Sequence, residues 1–117
     1  VAYITKTLQQ YKFKHITLQK YKLSKSIYTG WFRILAIKNT YRIYITELIL
    51  DGLITKYSYT FLYKNEPILR YDNSPHHPHL KTHPHHKHIK ETIKPLQKPT
   101  IEEFIKEVKQ IFLPKNS

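Results

Sequence analysis

The 117-residue chain contains no cysteine, which excludes a disulfide framework and any thiolate metal site. No apolar run approaches the ~20 residues that cross a bilayer, and no apolar signal-peptide core stands near the start. No membrane partner is therefore expected, and cytoplasmic residence is the default expectation. Acidic residues are scarce, eight against 20 Lys and Arg, and the first 46 residues carry nine Lys or Arg with no Asp or Glu. The net charge of +12 attracts polyanions and speeds their encounter, which suits nucleic acid or an acidic protein partner as well as a merely solvated lysine-rich surface. What is present excludes global disorder: 40% of residues are hydrophobic and 14% aromatic. That length and composition fit one domain, residues 1–117, around one core.

Local patterns predict an α+β fold, an antiparallel β-meander of about five strands with a C-terminal helix packed on one face and a short N-terminal helix. Ile4, Leu8 and Tyr11 recur at helical spacing, so residues 1–14 are read as a short amphipathic helix. The sheet is assigned to residues 15–72. Its first strand runs from Ile16 to Tyr28, where Ile16, Leu18, Tyr21 and Leu23 alternate, and Gly30 marks a turn or bulge. Four more strands lie between Trp31 and Asp72. Asp51-Gly52 is the strongest hairpin signal and sets Leu50 opposite Leu53, Glu47 opposite Lys56 and Tyr44 opposite Tyr59. Two-residue turns at Asn39-Thr40 and Asn65-Glu66 set Leu35 opposite Tyr44, Arg33 opposite Thr46, Arg70 opposite Phe61 and Asp72 opposite Tyr59.

These registers sort the side chains into two faces. Phe32, Ile34, Ala36, Ile43, Ile45, Ile49, Ile54, Leu62 and Leu69 share the face that must be buried. The other carries Trp31, Leu35, Tyr57, Phe61 and Asp72 together with Arg33, Arg42, Tyr44, Tyr59 and Arg70. Guanidinium planes among tyrosines are what a surface uses to hold phosphates and stack exposed bases, so these last five are candidate RNA contacts. One β-bulge would send a strand's side chains to the opposite face. Glu91 to Pro99 reads as an extended connector. In the helix expected over residues 100–113, Thr100 is the cap, Glu103 completes a capping box, and Ile101, Phe104, Ile105, Val108, Ile111 and Phe112 form the apolar stripe, ended by Pro114. An exposed sheet edge also makes a homodimer an expectation.

Residues 73–90 form a His-rich loop that can re-enter the sheet as a last strand from His86. Residues 75–88 hold seven of the eight histidines, with two Pro-His-His units nine residues apart. Imidazoles in pairs suit RNA cleavage through the 2′-hydroxyl, one removing a proton and one returning it. His76, His77, His85, His86 and His88 are the candidate acid and base residues, with Asp72 orienting a ring and Lys87, a sixth candidate RNA contact, Arg70 or Arg33 answering the charge on phosphorus. This chemistry requires no cofactor. The same five histidines with Asp72 also suit a divalent Zn, Ni, Mn or Fe ion, either bound alone or activating water for phosphodiester hydrolysis or nucleotidyl transfer. A solvated, compositionally biased loop is the remaining reading. His15 stands alone and is expected to be a surface or packing residue.

The run Tyr71-Asp72-Asn73, Pro75-His76-His77-Pro78, Thr82 and Pro84-His85-His86-Lys87-His88-Ile89, behind a meander with an Asp-Gly hairpin and ahead of a Pro-Thr-capped helix, resembles the TumE family of prokaryotic toxins. The resemblance spans roughly residues 28 to 113. It implies a toxin of a toxin–antitoxin system, neutralised by a helix-turn-helix antitoxin, and leaves the chemistry open. The polar positions it carries over are Asp72, Asn73, His76, His77, His85, His86, Lys87 and His88, while His79 and His83 are additions to the family pattern.

Overall fold

The β-branched and aromatic residues between positions 14 and 95 build one seven-stranded sheet. The structure, a computed structural model, describes residues 2–22 and 29–111. Helix α1 (Ala2–Gln10) is followed by β1 (Lys14–Lys22), β2 (Gly30–Lys38), β3 (Tyr41–Leu50), β4 (Leu53–Tyr63), β5 (Glu66–Asp72), β6 (His86–Ile89) and β7 (Thr92–Pro95), and helix α2 (Ile101–Ile111) is the last described element. Strands adjacent in sequence are adjacent in space and antiparallel throughout, so the sheet is a meander. The expected α+β class holds, but the strand count rises from about five to seven. Chain re-entry at His86 supplies β6, and β7 lies in the stretch read as a connector, its Pro95 placed at the strand's end on the sheet edge. The expected strand residues Leu23 to Tyr28, and Phe112 and Pro114 of the last helix, lie outside the described residues.

Turn chemistry sets the first two hairpins as expected. Arg33 pairs with Thr46 and Leu35 with Tyr44 across the Asn39-Thr40 turn. Asp51 and Gly52 take φ of 51° and 79°, the left-handed pair that a type I′ turn requires, and Leu50 faces Leu53. The register then slips. Ile49 pairs with Ile54 but Leu48 pairs with Lys56, leaving Thr55 as a bulge. Glu47 therefore faces Tyr57 rather than Lys56, and Tyr44 faces Thr60 rather than Tyr59. The next hairpin turns one residue early, at Lys64-Asn65 (φ 50° and 64°), and skips Ile68, so Arg70 pairs with Thr60 and Asp72 with Ser58.

The slip exchanges residues between the faces. Tyr57, Tyr59 and Phe61, expected beside the arginines, are buried with Phe32, Ile34, Ala36, Ile43, Ile45 and Leu69. Ile54, expected in the core, sits between turn and bulge and is 52% exposed, and Leu62 is only half-buried. Burying the rings of Tyr57 and Tyr59 contributes about 2 kcal/mol each from apolar area.

Helix α2 covers this face. Its N-terminus is capped by Thr100, whose side-chain oxygen accepts the Glu103 N–H at 3.2 Å. Phe104 wedges against Tyr59 and Tyr71, at centroid distances of 5.8 and 5.2 Å. Glu107 accepts a hydrogen bond from the Tyr71 hydroxyl and pairs with Lys87 Nζ at 3.1 Å, tying helix to sheet. Helix α1 lies beside α2: Ile4 and Leu8 join the same core, and Lys109 Nζ sits 5.3 Å from the Tyr11 ring centroid. Neither described helix covers the opposite face, and the three arginines remain exposed on it.

Candidate functional site

Cross-strand pairing builds the site on that uncovered face. Asp72 ends β5 opposite His86, the first residue of β6, and Arg70 lies opposite His88. Side chains two apart on a strand point the same way, so these four project together. The intervening loop folds back over them and brings His77 to 4.8 Å from the His86 ring and 5.9 Å from the His88 ring, centroid to centroid. His86 and His88 are 4.9 Å apart, also edge to face. The loop leaves Asp72 only 3% exposed and His86 2%.

Asp72 is the hub of hydrogen bonding. Its Oδ1 accepts the Ser74 N–H at 3.0 Å and faces His86 Nε2 at 2.9 Å, while its Oδ2 pairs with Arg70 Nε at 2.9 Å and lies 3.8 Å from His88 Nε2. His86 Nδ1 lies 3.0 Å from the Pro84 carbonyl oxygen. Both ring nitrogens of His86 thus face acceptors, and a neutral imidazole, with one N–H, can donate to only one of them. His88 is held below the ordinary histidine range, first by lost hydration, with the His86, Arg70 and His77 charges adding to it and Asp72 opposing. His77 is also pushed down, by lost hydration and then by His86, His79 and His76. Both rings therefore favour the neutral form near neutral pH, with a nitrogen lone pair available.

Side-chain latches hold the loop. The Asn73 amide accepts the Tyr57 N–H at 3.0 Å and donates to the Thr55 carbonyl at 2.9 Å, spanning the β4 bulge. The Thr82 hydroxyl donates to the His85 carbonyl at 2.6 Å and accepts the Leu96 N–H at 2.8 Å. Beside the histidines lies a shallow cavity of about 440 Å³ walled by Trp31, Arg33, Lys56, Ser58, Arg70 and Ser74. Arg70 also borders a smaller recess of about 200 Å³ with His88 and Lys90. Arg70 thus stands between the cationic basin and the imidazoles.

The structure gathers some of the candidate residues and disperses others. Asp72, His77, His86, His88 and Arg70 converge. His76 is exposed and outside the trio, beside His77 only in the chain. His85 stands apart as well: its ring stacks on buried Tyr57 at 5.7 Å, with Nδ1 2.8 Å from the Tyr57 hydroxyl, because it precedes His86 by one residue and takes the opposite side. Burial lowers the His85 pKa and raises that of Tyr57.

Two candidate RNA contacts are corrected. Tyr59 is fully buried and donates to Glu47, a consequence of the Thr55 bulge. Lys87 points to the helix side, where Glu107 engages it. Arg33, Arg42, Tyr44 and Arg70 stay on the uncovered face, Tyr44 half-buried and Arg42 beyond the basin's walls.

Sequence reasoning missed the latching roles of Asn73 and Thr82, for which no local pattern speaks. It also set His79 aside as an addition, although its ring lies 6.0 Å from that of His77. Lys56 joins the basin because the bulge removes it from Glu47, a change that the strand pattern could not show.

An antiparallel meander with two helices packed on one face and, on the face that neither described helix covers, a carboxylate, three imidazoles and a cationic basin defines a small α+β protein. The family described as Toxin TumE matches residues 5–112, nearly the whole chain, and the protein belongs to this toxin family. It matches no curated protein and no solved structure. Among the described residues, no helix is long and apolar enough to cross a membrane.

Proposed function

We propose that this TumE-family toxin acts on RNA as a small ribonuclease, with the reaction at the site where His77, His86 and His88 meet Asp72. The observation that carries this reading is the convergence of three imidazoles beside Arg70, at the edge of the basin lined by Arg33, Lys56 and Trp31. Arginines anchor phosphates, and the half-exposed Trp31 ring offers a base a stacking surface. His77 and His88 are the accessible pair. One, in its neutral form, removes the proton of the ribose 2′-hydroxyl, whose oxygen attacks phosphorus, and the other, in its protonated form, gives its proton to the departing 5′-oxygen, leaving a 2′,3′-cyclic phosphate. Because both rings favour the neutral form, the protonated share that serves as acid grows as pH falls toward and below 6.5. Arg70 answers the negative charge that grows on the phosphoryl oxygens. Buried His86, fixed between Asp72 and Pro84, positions the carboxylate and the rings around it. The partner of this reading is a helix-turn-helix antitoxin that neutralises the toxin by direct binding, an expectation supported by family membership.

The test uses a labelled single-stranded RNA and its all-deoxy counterpart. The expected result is RNA cleavage to cyclic-phosphate ends, an intact DNA strand, and a loss of at least about 100-fold in rate on His77→Ala or His88→Ala, the usual worth of one acid–base group. Equal cleavage of the deoxy strand would refute 2′-hydroxyl chemistry. RNA binding and toxicity without cleavage would show a toxin that acts by binding alone.

A further inference from the structure

We infer that His77, His86 and His88 form a binding site for one divalent transition-metal ion of the zinc type. The inference concerns the histidines of the proposed ribonuclease but is read from ligand geometry, so it can stand or fall separately. One ligand nitrogen from each ring lies within 4.8 Å of the others. A tetrahedral zinc ion with Zn–N bonds of about 2.0–2.1 Å needs its nitrogens about 3.4 Å apart, so the widest pair closes by at most ~1.4 Å. Such a shift is small for His77, which belongs to a loop, while His86 and His88 hold their spacing as alternate residues of one strand.

The surroundings match a metal centre in two further ways. His86 Nδ1 is anchored 3.0 Å from the Pro84 carbonyl, which aims Nε2 inward, as metal-bound imidazoles are aimed by a partner on their far nitrogen. The carboxylate of Asp72 touches two of the three rings, at 2.9 and 3.8 Å, and supplies either a fourth ligand or the compensating negative charge. Neutral imidazoles with one carboxylate select zinc or nickel over calcium or magnesium, which prefer all-oxygen sites. His76, His79 and His83 take no part in the trio.

The test is metal content and zinc titration of the full chain purified without a histidine tag. One zinc ion per chain is expected, bound at least about tenfold more weakly by His77→Ala and by His88→Ala, with little change in the His76→Ala/His79→Ala/His83→Ala triple variant. Far-ultraviolet circular dichroism confirms that each variant folds. Absence of bound zinc, or equal weakening in the triple variant, overturns the site and leaves only the loose affinity of a histidine-rich segment. Zinc binding with RNA uncleaved under every condition supports the site and overturns the ribonuclease. RNA cleavage in EDTA by a chain that binds no zinc does the reverse. Where both hold and imidazoles do the chemistry, saturating zinc suppresses cleavage, because one lone pair cannot hold an ion and accept a proton.

Discussion

Replacing Asp72 gives the sharpest test of how the site is held. In Asp72→Asn the amide oxygen can keep both bonds made at Oδ1, to the Ser74 N–H and His86 Nε2, but as a neutral acceptor. Its NH₂ group then faces the Arg70 Nε–H in place of an anion. Downgrading a charge-assisted bond to a neutral one costs about 1 kcal/mol, and a pair to a half-exposed arginine adds about 0.5 kcal/mol. Asp72→Ala removes the acceptor altogether and leaves the Ser74 N–H, His86 Nε2 and Arg70 Nε without it, which at about 1 kcal/mol or more each costs about 3 kcal/mol or more. At ~4 °C per kcal/mol for a chain of this size, Tm falls by about 6 °C for Asn and by about 12 °C or more for Ala. Thermal unfolding followed by circular dichroism measures both, with Asp51→Asn as the control, since it removes the same charge from an exposed turn and should cost far less. An Asp72→Ala loss under about 1 kcal/mol would mean that the carboxylate does not hold the site, and the proposed positioning of His86 would go with it.

Other expectations follow from the same geometry. Because the fold holds His77, His85 and His88 below their ordinary value of 6.5, the unfolded chain takes up protons first; their contribution is complete above pH 6.5 and is lost as pH falls through the lower folded values. Tm should therefore decline between pH 7 and 5, less steeply in His88→Ala, and the acid limb of the cleavage profile should lie below pH 6.5; a limb above 7 would contradict a neutral imidazole base. Glu107→Gln should destabilise the chain by about 2 kcal/mol, through Tyr71 and Lys87, without changing the rate constant of RNA cleavage, as urea denaturation and single-turnover kinetics would show. Arg33→Ala should weaken RNA binding and reduce the salt dependence of its affinity by about 0.7 in log–log slope, measured by fluorescence anisotropy. Gly52→Ala should cost about 1 kcal/mol from its φ of 79° alone, because nothing lies within 4 Å of the added carbon.

Much of the fold was legible because local rules determine it. Asp51-Gly52 and Asn39-Thr40 name their own turns, and Thr100 with the stripe from Ile101 to Val108 names its helix. What was not legible is parity. One extra residue at Thr55 decides whether Tyr57 and Tyr59 lie on the arginine face or in the core, and nothing in Ile-Thr-Lys marks it; the buried partners Glu47 and Phe104 do, and they are remote in sequence. Strand β7 escaped notice because Pro95 and the lysines around it weaken a strand pattern, although Pro is tolerated at an edge. In the histidine-rich stretch, composition identified the region but not its grouping. His85 and His86 are neighbours that part company once β6 begins, and His77 joins His86 and His88 only through a fold-back of the loop that no spacing announces.

The Asn73 amide across the bulge makes the length of β4 a measured quantity. By taking the Tyr57 N–H and the Thr55 carbonyl, it fastens the start of the histidine loop to the irregularity that turns the tyrosines inward. Removing a single residue from this strand would undo both at once, exposing aromatic rings on one side and casting the loop adrift on the other. Variation in chain length can accumulate at the tips of the hairpins, but β4 acts as a ruler, and its gauge sets the distance between what the protein hides and what it presents.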